Sequence, residues 1–223
     1  MFLESVTAWL TVWAVSTFVL SRTVGQPSTI RKINDPKKRD IAFWEYITNF
    51  LSLAHATAVV VVAIILIRIN GLNYIGNNTE GQNSMLHFSV AYFINDFIFG
   101  IWKKYNNKEM NLHHLIAIFS FGYMALKGTY ADNACWCYVV TEISNPILLV
   151  SKLFDQHQGH QNKCRILNIL FAFTFILCRS YIASFFVYEM QLTSVCLFLK
   201  LQSGMICELT RALVDVLVLD YCQ

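Results

Sequence analysis

The chain is a succession of apolar runs, each about as long as a bilayer is thick, joined by short polar loops. A hydrocarbon core about 30 Å thick takes roughly 20 helical residues to cross. Runs of that kind stand at about 2–20, 43–69, 85–102, 112–130, 134–154, 166–188 and 192–219. Backbone N–H and C=O groups cannot face lipid unpaired, so each run is expected to be a helix. The runs lack the two-residue alternation of an outer-membrane barrel. With 56% hydrophobic and 14% charged residues among 223, and a mean hydropathy of +0.46, an ordinary soluble domain is excluded. The expected fold is all-α, a polytopic membrane bundle of about seven transmembrane helices.

The loops orient these helices. Six Lys or Arg fall in the first loop, three in the third and three in the fifth with Lys152 included, whereas the second and sixth hold none and the fourth holds Lys127 alone. Basic loops favour the cytoplasmic or matrix side, which sets the N-terminus on the opposite face. Residues 1–21 are expected as an anchoring helix, since the basic start and small-residue cleavage site of a signal peptide are not clear there. Residues 22–42, basic and twice interrupted by proline, are expected as a linker loop. Asn77-Asn78-Thr79 is a glycosylation sequon in the charge-poor second loop. The seven cysteines show no zinc spacing and mostly lie in apolar runs, where a free thiol packs as a small hydrophobe.

Ionisable groups inside the runs are the candidates for function, because hydrocarbon makes them costly. At ~1.5 Å per helical residue, Asp96 lies ~9 Å, Asn145 ~12 Å and Glu142 ~16 Å above the basic end of their spans, with His55 and Arg179 at ~18 and ~21 Å. His113 and His114 stand at the mouth of the fourth run. Five helices therefore offer polar groups to one half of the bilayer, and convergence of those groups would make a cavity open toward the basic side. A histidine there can act as a general base, oriented by Asp96 or Glu142. The same histidines can instead be hydrogen-bonding residues that fix one helix against another. Adjacent positions diverge by about 100° on a helix, so one of the pair is expected to face inward.

Glu142 and Asn145 share a helix face, with Pro146 releasing a carbonyl beside them, either as a cavity-lining kink or as a structural one. Asp96 and Arg179 suggest an internal ion pair. In the seventh run Glu208, Arg211 and Asp215 are spaced to neutralise one another. Adjacent histidines are not the four-residue spacing of zinc helices, so no metal is expected.

These segments, in this order, resemble the TLC domain family, which includes the ceramide synthases and the TLC-domain-containing proteins. The resemblance rests on NFLSLAHA with His55, SVAYFINDFIFG with Asp96, NLHHLIAIFSFGY with His113 and His114, TEISNPILLVSK with Glu142, Ser144, Asn145 and Pro146, and FTFILCRSY with Arg179. It implies a TLC domain over residues 43–220, with a six-helix core around a membrane cavity and one helix ahead of it. It also implies lipid ligands and residence in the endoplasmic reticulum, with the mitochondrial inner membrane or another organelle as the alternative. In ceramide synthases the paired histidines and nearby aspartates are associated with acyl transfer from acyl-CoA. Thr141-Glu142 and Ser144-Asn145 replace the later His-Asp and Ser-Asp of those enzymes and resemble the TLC-domain-containing branch.

Two readings follow. In one, the chain handles lipid, with His113, His114, Asp96 and Glu142 as catalytic candidates, His55, Asn145 and Arg179 as lipid-binding candidates, and acyl-CoA as a substrate rather than a resident cofactor. In the other it is a non-catalytic subunit that packs against membrane proteins or organises lipid. The expected partners are membrane lipids, other membrane proteins or a second copy, and not nucleic acid.

Overall fold

A computed structural model describes residues 2–71, 76–158 and 161–178, all within the first of two units into which the chain divides, Met1–Cys178. Arg179, the rest of the sixth expected span beyond residue 178 and the whole seventh, with Glu208, Arg211 and Asp215, lie outside the described residues. The helices are α1 (Phe2–Thr23), α2 (Ser28–Arg31), α3 (Pro36–Asn70), α4 (Glu80–Lys103), α5 (Lys108–Lys127), α6 (Ala131–Glu142), α7 (Asn145–Gln158) and α8 (Gln161–Ile176). No strand occurs among the described residues. Four segments are long and apolar enough to cross a membrane: α1, α3, α4 and Ala131–Gln156, which joins α6 to α7. The chain is an all-α membrane helix bundle.

Helix ends follow local chemistry. The carboxylate of Asp35 accepts from the backbone N–H groups of Lys37 and Lys38 at 2.9 and 3.4 Å, and Pro36 takes the first helical position, where no N–H is needed. The helix therefore begins inside the stretch expected as a loop up to residue 42. Pro27 precedes one further short helical turn, α2, in the same stretch. α4 opens on a capping box in which Thr79 Oγ1 accepts from Gln82 N–H and Gln82 Oε1 accepts from Thr79 N–H, at 3.3 and 2.8 Å. Asn107 caps α5, which ends at Gly128, φ 72°, whose N–H reaches Met124 O at 3.0 Å.

The fifth expected span is not one helix. α6 stops at Glu142 and α7 starts at Asn145, because Pro146 has no N–H for the Glu142 carbonyl and its ring crowds that carbonyl.

α4 packs against α1, α3, α5 and α6, while α7 packs against α3 and α8. In lipid the helices gain nothing from leaving water, so specific packing and hydrogen bonds have to hold them together. Trp13 Nε1 donates to Phe88 O at 3.3 Å, and Asn95 Nδ2 donates to Thr17 Oγ1 at 3.1 Å, both joining α1 to α4. At the charge-poor end Gln82 Nε2 donates to Asp132 Oδ1 at 2.6 Å, and Asn78 Nδ2 to Met124 O at 3.0 Å. At the basic end Asn49 Nδ2 donates to Gln156 Oε1 at 3.2 Å, and Thr29 Oγ1 to the Gln156 carbonyl. The outer surface is apolar: Leu112, Ile116, Phe119, Tyr123 and Leu126 form one exposed stripe along α5, the face that belongs in hydrocarbon.

Candidate functional site

That stripe sets the rotation of α5 and so decides between the two histidines. The opposite face buries His114, Ala117, Phe121 and Ala125. His114 is 4% exposed, whereas His113 lies on the exposed side, its ring 6.2 Å from that of Phe93.

His114 Nε2 lies 3.4 Å from Asp96 Oδ2 on α4. The other carboxylate oxygen, Oδ1, accepts from the Tyr105 hydroxyl at 2.9 Å. Tyr105 belongs to the turn between α4 and α5, which is shaped by Lys104 in the left-handed region at φ 60°. Gly100 makes the turn possible, since a Cβ there would sit 2.1 Å from Asn106 Nδ2. Burial first, and the Asp96 carboxylate next, hold the Tyr105 hydroxyl above the usual phenol range, so it stays a proton donor. Three residues from two helices and their connecting turn thus form one chain, Tyr105–Asp96–His114. His114 Nδ1 ends it, buried and with no hydrogen-bond partner among the described residues.

His55 lies on α3 within an aromatic enclosure. Its ring stacks on Tyr92 with centroids 3.9 Å apart and planes 11° from parallel, and Phe88, Phe93 and Trp13 surround it at 5.3 to 6.2 Å. Its Nε2 meets Ser89 Oγ at 3.1 Å. The Tyr92 hydroxyl shares a 2.8 Å hydrogen bond with Ser52. Phe93 meets both histidine rings, its centroid 5.3 Å from that of His55 and 5.6 Å from that of His114.

At the α6–α7 break, Glu142 Oε2 accepts from Asn145 Nδ2 at 2.7 Å. Ser144 between them is fully buried, and its Oγ has no hydrogen-bond partner among the described residues. Among the described residues no group of three or more His, Cys, Asp or Glu is placed to hold a metal.

The structure thus joins Asp96 to His114 directly, packs His55 and His114 against the same Phe93 ring, and pairs Glu142 with Asn145. His113 is exposed, its ring 5.7 Å from that of His114. Asp96, expected opposite Arg179, is held by His114 and Tyr105, and Arg179 lies outside the described residues. Ser52, Ser89, Tyr92 and Tyr105 were not among the expected site residues. Ser89 and Tyr92 stand two turns and one turn before Asp96, a spacing that could have marked them, but nothing periodic projects Tyr105 from its turn onto Asp96.

A groove enclosing about 510 Å³ runs between α1 and α3, with Trp13, Leu20, Phe50 and Leu51 among its lining. Trp13 is also a wall of the His55 enclosure, its ring 5.2 Å from that of Tyr92.

A membrane bundle with a buried His–Asp pair and a proline-broken helix defines a class of polytopic protein with a polar interior. A family model described as the TLC domain matches residues 45–217, and the chain belongs to the TLC domain family. Comparison with curated proteins and with solved structures yields no match. The protein is a multi-pass integral membrane protein of the TLC type.

Proposed function

We propose that this protein binds a lipid whose polar group meets His114 and whose acyl chain follows the apolar groove between α1 and α3, in the endoplasmic reticulum membrane. The observation that carries this reading is the buried Nδ1 of His114, which has no partner among the described residues while Nε2 is occupied by Asp96. A buried polar atom without a partner costs about 1–3 kcal/mol, a cost that a hydroxyl or amine of a ligand offsets. With the proton on Nε2 toward Asp96, Nδ1 presents a lone pair and acts as an acceptor. Ser144 Oγ offers a second buried polar atom without a partner among the described residues, close in sequence to Glu142.

The same Nδ1 suits acyl transfer from a CoA thioester to a lipid amine or hydroxyl. It would take the acceptor's proton as the new bond to the thioester carbonyl forms, and return it to the departing thiolate. Asp96 would stabilise the imidazolium in between, and Tyr105 would hold Asp96.

The test is lipid mass spectrometry of the purified protein, with thermal melting to confirm that each variant folds. Wild type and His113→Ala should carry one lipid class in stoichiometric amount, and His114→Ala should lose it. Equal lipid content in all three would overturn the binding reading. Incubation with acyl-CoAs and lipid amines tests the transfer step separately, and a product formed equally well by His114→Ala would remove that residue as its base.

A further inference from the structure

A second cavity, of mixed polar and apolar lining, shares no lining residue with the groove between α1 and α3. It occupies about 610 Å³ between α7 and α8, at the end of the bundle where the fifth, basic loop joins them. Lys152 and Arg165 both line it, against the single carboxylate of Asp155. No ion pair holds either cation among the described residues. Ser151, 2% exposed, donates to Asn168 Oδ1 at 2.8 Å. That bond fixes the Asn168 amide and leaves its Nδ2 donors for another acceptor.

The lining changes character along the helix axes. Leu148 is one turn from Lys152 toward the membrane interior, and Ile169 and Ala172 are one and two turns from Arg165 in the same direction. At ~1.5 Å per residue, cationic and hydrogen-bonding groups give way to apolar ones over ~6–10 Å. A free phosphate would use the first part and gain nothing from the second. A phospholipid uses both, with its phosphate at the level of the charges and its first methylenes beyond. Basic pockets between membrane helices on the cytoplasmic or matrix side recognise anionic headgroups in this way.

We propose that the cavity between α7 and α8 is a headgroup site for an anionic phospholipid of the leaflet on the basic side. Lys152 and Arg165 hold the phosphate and Asn168 donates to a headgroup oxygen. The site is independent of the lipid reading at His114, and a failure of either leaves the other standing.

The experiment titrates short-chain phosphatidic acid, short-chain phosphatidylcholine and inorganic phosphate into detergent-purified full-length protein, reading bound adducts by native mass spectrometry and melting temperature. Phosphatidic acid should bind saturably and raise Tm, with the other two weaker by at least about tenfold. Lys152→Gln combined with Arg165→Gln should weaken phosphatidic acid by roughly thirtyfold, from about fivefold for each cation removed. Lys37→Gln with Lys38→Gln, the same charge loss at the exposed start of α3, should change it by no more than about twofold. Ala172→Phe, which fills the apolar end while leaving both cations, should also weaken it.

Inorganic phosphate competing as well as the lipid would overturn the proposal in favour of a simple anion site. Equal loss in the Lys37/Lys38 variant would reduce it to general surface charge, and unchanged binding in the Lys152/Arg165 and Ala172 variants would refute it. If the double glutamine variant does not fold, Lys152→Arg with Arg165→Lys should keep the binding that Ala172→Phe loses.

Discussion

A carboxylate buried among membrane helices has to be held by donors, and Asp96 takes its nearest from Tyr105 on the turn that follows its own helix. Tyr105→Phe removes a hydrogen bond to a charged group. It should cost about 1.5–3 kcal/mol, read as a lower unfolding midpoint in detergent, with His114 less firmly placed. Two glycines give a matched comparison. At Gly100 a new Cβ would press on the Asn106 side chain, 2.1 Å from Nδ2 and 2.7 Å from Cγ, so Gly100→Ala should displace the turn that carries Tyr105 and cost about 1–3 kcal/mol. At Gly122 a Cβ meets nothing within 4 Å, so Gly122→Ala should stabilise α5 by about 0.5–1 kcal/mol. Thermal melts of the two variants beside wild type check both signs. Asp96 and His114 could be singled out from sequence because charge inside an apolar run is conspicuous. Tyr105 could not, because a turn residue has no helical periodicity to say where its hydroxyl points.

Helices here begin and end on side-chain caps that a reader of hydropathy underweights. Asp35 and Pro36 start α3 among Lys37, Lys38 and Arg39, residues whose charge marks a loop on a hydropathy scale. The cap satisfies backbone donors at the membrane surface, where water tolerates the lysines. Asp35→Ala should therefore cost about 1 kcal/mol and fray the first turn, seen as faster amide exchange at residues 37–40. The break at residues 143–144 depends on Pro146 in the same local way. Pro146→Ala supplies an N–H for the Glu142 carbonyl, so exchange across 143–147 should slow as α6 and α7 merge, and the Glu142–Asn145 bond at 2.7 Å should be lost. Unchanged exchange would mean that packing against α3, and not the proline, makes the break. The kink itself was legible from Pro146 three residues after Ile143. That it would separate two helices and bury Ser144 was not, since that depends on where α3 sits.

For the whole molecule, the exposed apolar belt and the basic loops make one statement about orientation. Asn77 is exposed at one end of the bundle and Asn34 near the other. In sealed vesicles, Asn77→Cys and Asn34→Cys should react with a membrane-impermeant maleimide from opposite faces, measured above the background of the parent protein. Labelling of both from the same face would invert or break the arrangement. With the basic loops on the cytoplasmic or matrix side, the mouth of the α7–α8 cavity would open in that leaflet, so the two orientation variants and the headgroup titration constrain each other.

From its residues alone the chain was bound to be helical and membrane-embedded, with an expected set of spans and an expected direction. Hydropathy and loop charge add up residue by residue along the chain and need no partner to be counted. Which histidine faces inward, what holds Asp96, and which rings enclose His55 were decided by tertiary structure. Both sides of α3, α4 and α5 are apolar, so their rotation about their own axes is set by how helices fit one another. A turn such as Lys104–Asn106 acquires its role from that fit, when the carboxylate two turns behind it comes within reach.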